Sequence, residues 1–520
     1  MIKERSNSLS SQFMTMALAL LLSVSAPAAF AVVLKTKPLL IRVTPAQNGS
    51  GILGQIDSTL LNRHLTKGNA LYIFAGNVTP NDLGSAQPPL MVVPITQNRC
   101  VFSYKSSSLA AGTYTLAVTQ QADTDLAGSD DNISFVATST VNYANAAVLQ
   151  TVDFATKSRI LKVGAGKTYA RPSLAIQNSA NGDLIEIDSG EYVDDFASIG
   201  TNITIRGVGA TRPHIRRANG VIPNGKGIWT TTGKVVIENV EISGSKVPDE
   251  NGAAVRIEND TVVCNAYLHD NENGILGEGN QVMVEYSEIA FNGLTDVGFT
   301  HNIYIGAAGT FTLKYSYIHD AHDPNNTNDT GHNVKTRARN NFIFYNRIMN
   351  EAVGTAGDQI NLPQGGLTYI VGNVIRDSAR SSSNRTILYY DNGNDGAAHA
   401  SLDLYMVNNT IVDDRGDGYL TLGGGAVNAR VYNNLLFGNA TTVAGQSKSN
   451  NIFSKDPAIF VDKTNYDFHI KAGGPAVNQG INPALISGFT IPVNSEYVHP
   501  AASKERVTQG ALDAGAFEAP

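Results

Sequence analysis

The chain has 520 residues, 42% of them hydrophobic, and a formal net charge of −7 at pH 7. The acidic balance excludes the broad basic surface that nucleic-acid binding requires. Two cysteines, Cys100 and Cys264, give no Cys/His zinc pattern, and the length allows two or three domains. Lys3 and Arg5 precede an apolar run from Met14 to about Val24, and Ala29-Phe30-Ala31 follows as a small-x-small site. That order predicts a secretory signal peptide over 1–31, because the apolar run is too short to span a bilayer comfortably. Removing Lys3, Glu4 and Arg5 with it takes the formal charge from −7 to −8. A secreted or periplasmic protein without a transmembrane segment is expected.

Residues 39–141 read as a small all-β module. Short apolar strands such as Ala70–Phe74 and Tyr114–Val118 alternate with turn-rich segments, as in immunoglobulin-like or prealbumin-like β-sandwiches. The acidic stretch from Asp123 to Asp131 has no diagnostic ligand spacing and reads as a solvated turn. A linker is expected over 141–157. The cysteines fall in different predicted domains and are expected to be two separate buried thiols.

From 157 to 453 the sequence repeats. VVIENVEI (235–242), TVVCNAYL (261–268), VMVEYSEI (282–289), FTLKYSYI (311–318), NFIFYNRI (341–348), TYIVGNVI (368–375), LYMVNNTI (404–411) and ARVYNNLL (429–436) share one apolar pattern, spaced 21 to 36 residues apart. Alternation of period two dominates over helical spacing. Irregular steps with a constant strand pattern predict an all-β, right-handed parallel β-helix whose loops vary in length. Asn346, Asn373, Asn409 and Asn434 occupy one register and predict an interior asparagine ladder. Ser173–Ile176 reads as a short capping helix before the coils, and 454–520 as a C-terminal capping segment, since an open coil end is an exposed strand edge.

A second strand recurs once per coil: HNIYIG (301–306), HNVKTR (332–337), DQINLP (358–363) and RTILYY (385–390). Alternation places Ile303, Ile305, Val334, Thr336, Ile360 and Leu362 inward. The opposite parity places Asn302, Tyr304, Asn333, Lys335, Arg337, Gln359 and Asn361 outward. Tyr304, Lys335 and Asn361 then form a column, with His301, His332 and Arg385 at the bend beside it. The span 311–386 holds eight basic residues against six acidic ones, a local positive face suited to an anionic polymer.

The segment from His332 to about Ile375 resembles the alginate lyase and chondroitinase B family of β-helix polysaccharide lyases. The resemblance lies in Lys335-Thr336-Arg337-Ala338, followed by Asn346-Arg347-Ile348, with Asn373 one coil on. It implies Lys335 as the base that removes the proton beside a uronate carboxylate, an arginine that assists, and calcium held by acidic residues just before the lysine. Here Asn328, Asp329, Thr330, Gly331 and His332 stand before it instead of glutamates, and Asn361 stands where the next coil would offer arginine. Calcium is therefore left open, and Arg337 takes the arginine's place.

These observations predict an enzyme that cleaves a uronate-containing extracellular or periplasmic polysaccharide by β-elimination, working as a monomer. Lys335, Arg337, His332 and Tyr304 are the candidate catalytic residues. His301, Asn302, Asn333, Asn361 and Arg385 are the candidate substrate contacts, with no metal ligand assigned. A polyuronate C5-epimerase uses the same proton abstraction, and a non-catalytic polysaccharide-binding or adhesin β-helix would show the same strand pattern. A hydrolase would need paired carboxylates, for which Asp358 with Asp391 or Glu278 are the candidates.

Overall fold

The computed structural model describes residues 159–293, 300–322, 331–416, 418–424, 427–482, 491 and 493–520, together with strand backbones between 50 and 153. The leader over 1–31, Cys100 and the acidic stretch 123–131 lie outside the described residues. Among the described residues no helix is long and apolar enough to cross a membrane.

Ahead of the repeats, Ser50–Gln55 pairs antiparallel with Val101–Ser106. Ala70–Ala75 pairs antiparallel with both Met91–Pro94 and Thr113–Thr119. Residues 146–153, read from sequence as linker, form a further strand that pairs with Thr113–Thr119.

The repeats form three long parallel sheets of twelve, eleven and nine strands, each strand pairing with its counterpart one coil away. This is a parallel β-helix. The helix predicted near Ser173–Ile176 runs from Pro172 to Gln177 and buries Pro172, Ala175 and Ile176. Isoleucine and valine dominate the interior because every second residue of a strand turns inward and branched side chains fill a pleated wall. Ile205, Ile237, Val263, Val284, Leu313, Ile343 and Ile370 make one such buried file on the twelve-stranded sheet.

Two-residue turns join the twelve-stranded sheet to the eleven-stranded one, and they explain the asparagines. The first turn residue has positive φ, as at Asn239 (56°), Asn265 (49°), Asn408 (53°) and Asn433 (58°), a region asparagine tolerates better than most residues. Gly372 takes this place at φ 67°, where a Cβ would come within 2.4 Å of the Tyr345 ring. The second turn residue points inward. Asn346 donates to Asn373 at 2.9 Å, Asn373 to Asn409 at 3.0 Å, Asn409 to Asn434 at 2.9 Å, and Asn434 to Asn451 at 2.9 Å. The predicted ladder is present and extends one rung further, to Asn451.

A second interior ladder lies at the bend before the nine-stranded sheet. Asn271 donates to Asn292 at 3.0 Å, Asn292 to Asn302 at 2.8 Å, Asn302 to Asn333 at 2.7 Å, and Asn333 to Gln359 at 2.7 Å. Asn302, Asn333 and Gln359 are completely buried, which corrects their assignment to the outer face. The strands begin only at Ile303, Val334 and Ile360, so the alternation does not extend back to the bend. A buried amide there must find its partners inside.

The C-terminal segment packs along the flank of the eleven-stranded sheet. Ile459, Phe460, Phe468, Ile470, Ala514 and Phe517 cover Met349, Val374, Val412 and Phe437. Arg506, fully buried, holds the segment together by donating to Glu518 and to the carbonyls of Asp513 and Gly515. Cys264 is disulfide-bonded, not a separate thiol, and Cys100 is the only other cysteine in the chain. The physical reason is its parity: Cys264 groups with outward-facing Val236, Val262 and Met283 and not with the interior file.

Candidate functional site

The nine-stranded sheet stacks the predicted residues in register. Tyr304 pairs with Lys335, and Lys335 with Asn361, about 4.8 Å apart per coil. Ile303, Ile305, Val334, Thr336, Ile360 and Leu362 are completely buried beneath them, so the predicted parity holds within the strands. Tyr304 and Lys335 face outward and are partly exposed. Lys335 Nζ lies 5.6 Å from the centre of the Tyr304 ring, and the Arg337 guanidinium 5.1 Å from it. Arg337 follows the last residue of its strand and is also partly exposed.

Both cations converge on one carboxylate that no spacing in the chain places there. Lys335 Nζ is 2.8 Å from Asp395 Oδ2, and Arg337 Nη2 pairs with Asp395 Oδ1. Asp395 belongs to the loop after the strand Ile387–Tyr389. That loop is tied down where Gln364 donates to the Asp395 carbonyl at 3.1 Å and the His399 ring meets the Arg337 carbonyl at 2.9 Å. Burial works against ionisation of Asp395, but Lys335 and Arg337 outweigh it and hold its carboxyl below the usual range. Two buried atoms beside the pair have no hydrogen-bond partner among the described residues: Arg337 Nε, a donor, and Asn361 Oδ1, an acceptor.

The histidines stack, as the register predicts, with ring centres 5.2 Å apart. The backbone N–H of His332 donates to His301 Nδ1 at 2.8 Å, and that of Asp358 donates to His332 Nδ1 at 3.0 Å. In each ring the neutral form then carries its hydrogen on Nε2. His301 is buried, with its ring edge toward Tyr304 at 5.3 Å. Burial, reinforced by the charges of His332, Lys335 and Arg337, drives its pKa well below the ordinary value. It is therefore a neutral wall of the site, not a cationic carboxylate contact. His332 is more open, with its side chain 14% exposed.

Arg385 and Asn361 share a buried anion. Asp358 is completely buried and accepts from Arg385 Nε at 3.1 Å, Arg385 Nη2 at 3.2 Å, Ser383 Oγ at 2.6 Å and Asn361 Nδ2 at 2.5 Å. Arg385 thus neutralises a buried carboxylate, and Asp358 has no open face with which to serve a hydrolase. The acidic residues ahead of Lys335, Asp323 and Asp329, lie outside the described residues.

No protein-family model matches the chain, and no curated protein does. The solved structures that are similar to it include the following two. Pectate lyase Pel9A shares 13% identity over 70% of this chain and 97% of that chain, with a TM-score of 0.47. A family 28 exopolygalacturonase from Yersinia enterocolitica shares 11% identity over 81% of this chain and 99% of that chain, with a TM-score of 0.29.

Proposed function

We propose that the chain is a polysaccharide lyase that cleaves a uronate-containing polymer by β-elimination at the Lys335 column. The observation that supports this reading best is the clasp of Lys335 and Arg337 on a single carboxylate beside the Tyr304 ring. A pair of cations that holds Asp395 in this way can hold a substrate carboxylate.

In this mechanism the uronate carboxylate displaces Asp395 and binds Arg337. With Asp395 displaced, the Lys335 ammonium gives up one proton to solvent, and the resulting amine takes the proton from the carbon next to the carboxylate. The electron pair forms a carbon–carbon double bond as the bond to the leaving oxygen breaks, and Tyr304 gives that oxygen a proton while His332 Nε2–H hydrogen-bonds to it. Arg337 stabilises the charge that builds on the carboxylate in the transition state.

The test is a screen of the purified chain against alginate, pectate, glucuronan and glycosaminoglycans, read at the ultraviolet absorbance of the unsaturated product. Activity on one of them that Lys335→Ala abolishes, with the fold intact, supports the proposal. Unchanged turnover in Lys335→Ala removes it. Inverted uronate without chain cleavage would instead identify an epimerase, and binding without turnover a polymer-binding protein.

A further inference from the structure

A second cluster of titratable side chains stands on the outer face of the eleven-stranded sheet, on a different wall from Lys335. His214, Glu241 and His269 come from three successive coils, with His214 in register with Glu241 and Ser243 in register with His269. His214 Nδ1 lies 3.6 Å from Glu241 Oε1, and His269 Nε2 lies 3.2 Å from the same oxygen. The three residues each offer a ligand atom, all within 4.8 Å of one another. Donors on one tetrahedral zinc, with bonds of about 2.0–2.1 Å, sit about 3.3 Å apart. The spacing already matches this along both edges to Glu241.

The other nitrogen of each imidazole is occupied. His214 Nε2 contacts Ser243 Oγ at 2.8 Å, and His269 Nδ1 contacts Asp270 Oδ2 at 2.6 Å. Such partners fix the tautomer and ring orientation of metal-binding histidines, and a carboxylate behind the ring makes the facing nitrogen more basic. Tyr267 stacks on His269 at 4.0 Å between ring centres and holds the ring flat against the sheet. All three candidate ligands are partly exposed, so an ion has a path in and a coordination position toward solvent.

The chain contains its own comparison. Tyr267-Leu268-His269-Asp270 recurs as Tyr317-Ile318-His319-Asp320. His319 Nε2 lies 3.4 Å from Glu288 Oε1, and its Nδ1 lies 3.0 Å from Asp320. In that second set the place of His214 is taken by Tyr267, which is in register with Glu288. Ring stacking and ion pairing are common to both sets, so they do not account for His214. Among the described residues, only the first set has two imidazole nitrogens within 3.6 Å of one carboxylate oxygen.

We propose that His214, Glu241 and His269 form a binding site for a zinc-type divalent ion, with water completing the coordination. The experiment titrates Zn2+ into the purified full-length chain against a chromophoric chelator. One ion per chain with Kd tighter than about 1 μM is expected. His214→Ala and His269→Ala should each weaken binding at least about tenfold, and Asp270→Asn by about 10- to 100-fold. His319→Ala should leave it unchanged. Co2+ should give the visible absorption of a low-coordinate site, lost in His214→Ala, while thermal unfolding confirms that each variant folds. A proton shared by His269 and Glu241 would produce the same short contact without any metal. Absence of stoichiometric binding, binding unmoved by His214→Ala and His269→Ala, or equal loss in His319→Ala overturns the proposal.

Discussion

The carboxylate of Asp395 lies 2.8 Å from the ammonium of Lys335, although it is delivered by a loop two coils further along the helix. It occupies the position that a substrate carboxylate takes in the proposed reaction, so it competes with the substrate. Asp395→Asn removes the charge that holds both cations. The expected outcome is a KM for the polyuronate lowered by about three- to tenfold, since apparent affinity scales with the fraction of open sites. Initial rates over a range of polymer concentration measure it. A KM unchanged or raised would mean that Asp395 organises the site and does not block it.

Asn373 is the second prediction. Its Oδ1 accepts both the backbone N–H and the side-chain amide of Asn346, each at 2.9 Å, and it is completely buried. Asn373→Ala strands two donors and should cost about 2–4 kcal/mol of stability, read from denaturant or thermal midpoints. A loss below that range would show that the ladder sets register without contributing much stability.

For Arg385 the structure predicts a loss of stability and not of affinity. Arg385→Ala takes the guanidinium away from Asp358, which Ser383 and Asn361 also hydrogen-bond. The cost expected is about 3 kcal/mol. KM measured well below the unfolding temperature should stay within about twofold of the parent, as expected for a residue that makes no contact with substrate. A large rise in KM would restore Arg385 to the role of substrate contact.

Asp377 makes stability depend on pH. Burial pushes its carboxyl up to about 8, against the lowering effect of hydrogen bonds from Ser381 and Gln359. Its folded pKa is therefore above the unfolded value of about 3.9. The stability it contributes is fully present below about pH 4 and is lost as pH rises through about 8. Asp377→Asn, which cannot ionise, should raise the thermal midpoint more at pH 9 than at pH 5. An equal change at both values would show that Asp377 is not protonated in the folded chain.

The fold was legible because a β-helix is a local pattern repeated. Period-two alternation decides which face of a strand turns inward, and the constant apolar register from Ile242 to Leu436 announces the stacking of coils. The asparagine ladder could be read in the same way, since one residue type at one register in successive coils has few ways to satisfy its amide. The column of Tyr304, Lys335 and Asn361 followed from the same register.

Pattern fails where strands end. Asn302 and Asn333 have the outward parity in the sequence but sit at the bend ahead of the strands, where their side chains join the buried amide ladder. At the same bend His301 is buried, and Arg385, partly exposed, pairs with the buried Asp358.

By itself the sequence determined the coil, the inward and outward faces of its strands, and the file of chemistry-bearing residues on one wall, because these depend on spacing along the chain. Only the tertiary structure decided that Asp395 closes over Lys335, that Cys264 is bonded, and that His214, Glu241 and His269 meet at one point. Loop placement and side-chain convergence depend on contacts between distant segments, and no local period encodes those.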